Sequence, residues 1–147
     1  MILPFSDTFP WKDEAGNKVP SGFAEKTKAS FVVPHKGQTK CHTIRSGSRW
    51  KPGNKIHFVY GNRTPQQITF LEGTCTKVDN ISIYADWNKT YGMFVLRCVV
   101  NGVTVSKIDL AKNDGLTLEE FHRWFVPYCA HEPFHGQIIH WTNDIEY

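Results

Sequence analysis

From Lys55 to Ile108 the chain is cut into apolar or alternating runs, KIHFVY, QQITFLEGTCTKV, ISIYADW, GMFVLRCVV and VTVSKI. In KIHFVY, Ile56, Phe58 and Tyr60 recur with period two, the spacing of side chains on one face of a strand. Gly61-Asn62, Gly73, Asp79-Asn80 and Asn101-Gly102 separate the runs, and Asn-Gly between two apolar segments is a hairpin signal. Such a middle cannot build alternating βαβ units. It predicts an α+β, β-rich fold of about six short strands in a mixed or antiparallel barrel, with two short helices.

The helices are placed by their caps. Ser21 precedes GFAEKTKAS, which predicts a helix near 22 to 29. Between 107 and 126 the pattern turns to helix period, and Thr117 with Glu120 three residues on makes a capping box for a helix near 117 to 126. Leu118, Phe121, Trp124 and Phe125 form its apolar stripe. Residues 1 to 20 carry Pro4, Pro10, Gly16 and Pro20 and read as an edge strand and loops, while GQIIHWTND reads as a closing strand. There is no repeat or linker, so residues 1–147 form one domain, long enough to bury roughly two-thirds of its unfolded surface.

The four cysteines, Cys41, Cys75, Cys98 and Cys129, never form a Cys-x-x-Cys pair and read as free thiols. The first residues lack a basic segment followed by a long apolar run, and no stretch approaches the ~20 apolar residues of a membrane span. The expectation is a cytoplasmic protein, in a bacterial cell or a phage-infected host, with no membrane partner.

Charge is unevenly spread. Between Glu25 and Glu72 there is no acid, yet nine of the 17 Lys and Arg fall there, leaving eight cations against all 14 acids elsewhere. A cationic patch concentrates anions and points to phosphate-bearing partners. Within it, KCHTIRSGSRWKPGNKIH combines cations, a hydroxyl and an aromatic ring. Lys40, Arg45, Arg49, Lys51 and Arg63 are candidate phosphate contacts, and Trp50 or Tyr60 a candidate stacking ring. The expected partner is RNA, single-stranded nucleic acid or a nucleotide-type ligand, with no cofactor. His131-Glu132-Pro133-Phe134-His135 fits the zinc-protease formula, but Pro133 denies it the single helix that the chemistry needs, so no metal site is expected even with Cys129 or His122 added.

Three further stretches sharpen the reading. Lys40-Cys41-His42-Thr43-Ile44-Arg45 with Arg49-Trp50-Lys51-Pro52-Gly53-Asn54-Lys55-Ile56-His57-Phe58, then NDGLTLEEFHRWF, and finally GQIIHWT resemble the ASCH-domain proteins of phages and their hosts. Two departures stand out. Against the family's Gly-x-Lys-x-x-Glu-x-Arg motif, the glycine is displaced to Gly37, with Gln38 in its place, and Thr43 stands where the motif has Glu. The resemblance implies a PUA-like barrel with the motif Lys40 and Arg45 in a cleft. Some members of that family are amidohydrolases of acylated cytidine that use Lys, Thr and an acid, and others are ribonucleases or RNA-associated. By that resemblance Lys40, Thr43 and Asp114 are the catalytic candidates, with Asp114 in place of the longer Glu. Without catalysis, the same cleft would simply hold its ligand.

Overall fold

The computed structural model describes residues 1–33 and 38–147. Lys36 of the basic stretch and the displaced Gly37 lie outside the described residues. In chain order the elements are β1 (Ile2–Pro4), β2 (Thr8–Lys12), β3 (Lys18–Pro20), α1 (Phe23–Val32), β4 (His42–Ser46), β5 (Lys55–Tyr60) and β6 (Ile68–Thr74). Then follow β7 (Lys77–Asn88), β8 (Met93–Val100), β9 (Val103–Val105), α2 (Lys107–Asn113), α3 (Leu118–Cys129) and β10 (Phe134–His140). The fold is α+β and strand-rich. No helix among the described residues is long and apolar enough to cross a membrane.

Among the described residues three sheets form instead of one hydrogen-bonded barrel: β4-β10-β7-β8-β9, β1-β5-β6 and the β2-β3 hairpin. Every pairing is antiparallel except β1 on β5. The chain crosses between the two larger sheets in two residues. Cys75 exchanges backbone hydrogen bonds with the 53–54 turn at 2.7 and 2.8 Å, and Thr76 N–H then donates to His140 O at 2.9 Å. On the opposite side β1 and β4 approach without a ladder, joined by the Arg45 guanidinium donating to Pro4 O.

Several expectations are met and several are corrected. Asn101 and Gly102 turn the β8–β9 hairpin with φ of 50° and 83°, the two positive values of a type I′ turn. Thr117 caps α3, its Oγ accepting from Glu120 N–H at 3.1 Å. Ser21 is not the cap of α1. Gly22 takes that place in the left-handed region, and the Ser21 hydroxyl donates to Ser6 O, 2.7 Å away. Asp79-Asn80 does not break a strand but lies inside β7, because the Asp79 carboxylate is satisfied by His140 Nε2 and Asn101 Nδ2, both at 2.9 Å. Gly73 likewise stays within β6, where a Cβ would come within 3.0 Å of Phe31 and 3.1 Å of Phe58. The final apolar run is central, with Ile138 between Ile44 of β4 and Asp79 of β7.

The third helix, α2, has its own cap: the Ser106 hydroxyl oxygen accepts from Asp109 N–H at 3.2 Å. Its C-terminus closes in a Schellman pattern, with Gly115 N–H to Lys112 O at 3.1 Å and Leu116 N–H to Ala111 O at 2.9 Å. Gly115 carries the positive φ of 73° that this ending requires. The aromatic core gathers where the sheets and helices meet, with Phe5, Phe58 and Trp141 in mutual ring contact and Phe23 against Phe5 and Phe9. All four cysteines are buried free thiols.

Candidate functional site

A strand places alternate residues on one face, so Lys40 and Thr43 could not share a surface if β4 ran unbroken from 40 to 45. It does not. Lys40 and Cys41 leave the β4–β10 ladder, Lys40 N–H bonding Lys26 O at 3.0 Å and Cys41 N–H bonding Asn113 O at 2.8 Å, and Lys40 bridges Asp114 in isolation. The regular strand starts only at His42. The break turns the Lys40 side chain into a cavity of about 110 Å³ that Thr43, Arg45 and Asp114 also line. The remaining wall is largely apolar: Phe5 from the segment after β1, Phe23 from α1, and Trp124 and Phe125 from α3. This is on the order of the ~150 Å³ that accommodates one benzene-sized ring.

Lys40 is only 2% exposed. Its ammonium donates to Asp114 Oδ1 at 2.5 Å and to Asp114 O at 2.7 Å, and lies 4.5 Å from the centre of the Phe23 ring and 5.4 Å from that of Phe5. Burial pushes its pKa from 10.5 down to about 8, against the pull of Asp114 and with smaller help from the Arg45 and Lys26 charges. Burial also raises the Asp114 carboxyl above its ordinary value, opposed by Lys40 and then Arg45. Asp114 is the C-cap residue of α2, so the helix ending that fixes Gly115 also fixes the carboxylate. Lys26 anchors that ending from α1, its ammonium donating to Gly115 O at 2.8 Å. Behind the pair, His42 Nδ1 stands 3.8 Å from Asp114 Oδ1, and its Nε2 is 2.6 Å from the Tyr147 hydroxyl, which also accepts from Asn113 Nδ2.

Thr43 lines the cavity as a largely buried residue, 3% exposed. Arg45 spans the rim, its guanidinium 5.4 Å from the Phe5 ring centre and its Nε buried with no hydrogen-bond partner among the described residues. Thr43, a lysine whose pKa is lowered to about 8 and Asp114 thus line one ring-sized space, residue types able to attack and protonate a polar group on a planar ligand.

The other sequence candidates go elsewhere. Trp50 is a core residue, 3% exposed, because Gln137 on β10 clasps its backbone, accepting from Trp50 N–H at 3.1 Å and donating to Trp50 O at 3.2 Å. It offers no face for stacking. Tyr60 is also taken, its hydroxyl accepting from Ala24 N–H at 2.8 Å. Arg49 and Arg63 line a separate depression beside β1. Lys51 is exposed in the Pro52-Gly53 turn, its N–H donating to Asn54 Oδ1 at 2.9 Å, and lines neither space. Asp86 pairs with Arg97 at 3.0 Å and not with these cations. In the sequence, Trp124 and Phe125 carried only a core signal, although they also wall the cavity. Phe5 and Phe23 carried no site signal at all. No group of His, Cys, Asp and Glu able to hold a metal ion forms among the described residues.

No model of a known protein family matches the chain, and no solved structure matches it with statistical significance.

Proposed function

We propose that the protein is an ASCH-like domain of the PUA-like kind whose Lys40–Thr43–Asp114 cavity binds a nucleoside-type ligand, free or as part of an RNA. One observation carries the reading: buried Lys40 and partly buried Arg45 line a ring-sized space whose other walls include Phe5, Phe23 and Trp124. Aromatic walls stack a base, and the polar groups select its edge. The PUA-like assignment rests on the order of the ASCH-like motifs along the sequence and on the position of the motif Lys and Arg in the cavity. A nucleoside ligand and four unpaired thiols both suit a reducing cytoplasm.

A second reading, hydrolysis of an amide on an acylated cytidine, is favoured by the lowered Lys40 pKa beside Thr43. Neutral Lys40 takes the hydroxyl proton as Thr43 Oγ attacks the acyl carbon. The C–N bond then breaks, the proton passes from Lys40 to the departing cytidine amine, and water cleaves the acyl-threonine ester to return the enzyme. Asp114 holds the lysine in place through its backbone carbonyl and one carboxylate oxygen, and Arg45 would meet the developing oxyanion.

The test is incubation with N4-acetylcytidine, following cytidine release by chromatography and the melting midpoint in parallel. A ligand that binds only the folded state raises the midpoint. Wild-type protein is expected to show the shift and release cytidine, and Thr43→Val, which keeps the β-branched shape, to show the shift alone. A shift without product in the wild type leaves the binding reading and removes the hydrolytic one. No shift and no product contradict both.

A further inference from the structure

We infer that the ligand of this cavity carries a phosphoester, and that its phosphate is held in a second, separate depression by Arg49 and Arg63. The inference rests on the nucleoside reading of the cavity and adds the charge of its ligand.

The depression encloses about 530 Å³ between Ile2 and Pro4 of β1 on one side and Arg49, Asn62, Arg63 and Gln67 on the other. Met1 lines it too, and its polar side chains are those of two arginines and two neutral amide residues, with no Asp or Glu. Both arginines are exposed, and neither forms an ion pair among the described residues, whereas Lys55 and Arg97 each have an acid within 3.0 Å. Two unneutralised guanidinium groups in one concave space are the arrangement that fits a phosphate's paired oxygens. Each arginine is also set in place. The Arg49 guanidinium lies 5.7 Å from the Trp50 ring centre and donates to Ile2 O at 3.4 Å. Arg63 has a φ of 64°, unusual for a residue with a Cβ, and its N–H is tied to Gln67 Oε1 at 3.2 Å.

Adjacency links this depression to the cavity. Pro4 lines one and Phe5 the other, so a single residue step separates their walls. Arg45 occupies the junction, bonded to Pro4 O while lining the cavity, with its Nε still to be satisfied. A nucleotide with its base among Phe5, Phe23 and Trp124 would pass Arg45 with its sugar and present phosphate to Arg49 and Arg63. The acid-free run from Lys26 to Leu71 supplies all three arginines. A free mononucleotide and a phosphodiester within single-stranded RNA offer the same group.

The test compares binding of cytidine, cytidine 5′-monophosphate, cytidine 3′-monophosphate and a fluorescent ten-nucleotide single-stranded RNA to wild-type protein and to Arg49→Gln/Arg63→Asn. Asparagine is chosen at 63 because it tolerates the left-handed backbone there. Both sites are exposed, so the fold should be untouched. At least one phosphorylated probe is expected to bind wild type about tenfold or more tightly than cytidine, with a salt dependence that the double variant loses in part, while cytidine binds both proteins alike. The mononucleotide arms against the RNA arm tell which source of phosphate the site prefers. Phosphorylated probes that bind no better than cytidine, or equally well to the double variant, overturn the inference and leave the cavity reading standing. Phosphate-dependent binding that vanishes in the double variant, with cytidine bound by neither protein, supports the phosphate subsite and removes the cavity reading instead.

Discussion

A side chain on Gly115 would bring its Cβ to 2.9 Å from the Cβ of Lys40. The catalytic candidate that looks like a surface lysine in the sequence is therefore packed against the backbone of the helix ending that presents Asp114. Gly115→Ala should lose stability twice over, from the left-handed φ, about 1 kcal/mol, and from displacing Lys40, for a total of about 2 kcal/mol or more. Gly47→Ala is the control, since Gly47 has a φ of 86° but nothing within 4 Å of a built Cβ. Urea unfolding of the two variants should separate them by at least the clash; equal midpoints would mean that Lys40 is not wedged there.

The burial of Lys40 reverses an expectation that follows from reading it as an exposed cleft residue, namely that its removal is harmless to the fold. Lys40→Ala leaves the Asp114 carboxylate buried without its cation, and losing one partner of a buried pair costs about 3–5 kcal/mol. Lys40→Met/Asp114→Asn removes both charges and should recover much of that loss. Activity assays on Lys40→Ala alone would confuse chemistry with unfolding, and denaturation curves for the three proteins decide the point.

The pH dependence has a definite sign. As a base, Lys40 must be neutral, so any hydrolysis should rise with pH and level off above about 8. Stability follows the same group. Its folded pKa lies below the ordinary 10.5, so the unfolded chain binds more protons between about 8 and 10.5, and the contribution of Lys40 to stability rises across that window and is lowest beneath it. Burial also raises the Cys98 thiol, to about 12, which acts in the opposite direction at high pH. Urea midpoints at pH 7.5 and 9.5 should therefore be compared as differences from Lys40→Met/Asp114→Asn, where the cysteine contribution cancels. A difference that falls over this interval contradicts the lowered Lys40 pKa.

Gln137 was not among the sequence candidates, yet it supplies both hydrogen bonds of the Trp50 backbone. Gln137→Leu keeps the volume and strands two buried backbone groups, at about 2–3 kcal/mol in total. The loss should appear as a lowered urea midpoint with unchanged nucleoside binding, since neither residue touches the cavity.

What the sequence made legible was local. Thr117 with Glu120 announces α3, Asn101-Gly102 announces a hairpin, and Ser106 with Asp109 carries a signal for α2 that a seven-residue helix makes easy to pass over. Long-range partners were not legible. Asp79 reads as a turn residue until His140, 61 residues away, is seen to accommodate it within β7. Trp50 reads as an exposed ring among cations until Gln137 encloses it. Lys40 and Thr43 converge because Asn113 O, not β10, takes the Cys41 N–H, a choice set by where α2 ends and not by any spacing around Lys40. The triad itself came from resemblance, and the structure brings its three members to one cavity.

In the proposed complex a nucleoside's base enters the cavity between Lys40 and the aromatic wall. Titration of cytidine into 15N-labelled protein, followed by backbone and indole amide shifts, tests it most directly. The account predicts that saturable shifts concentrate at Phe5, Phe23, Lys40, Thr43, Asp114 and the Trp124 indole, with Trp50 and Lys51 unmoved. Millimolar cytidine that leaves those six residues unshifted, or that shifts only the exposed 51–54 turn, would contradict it.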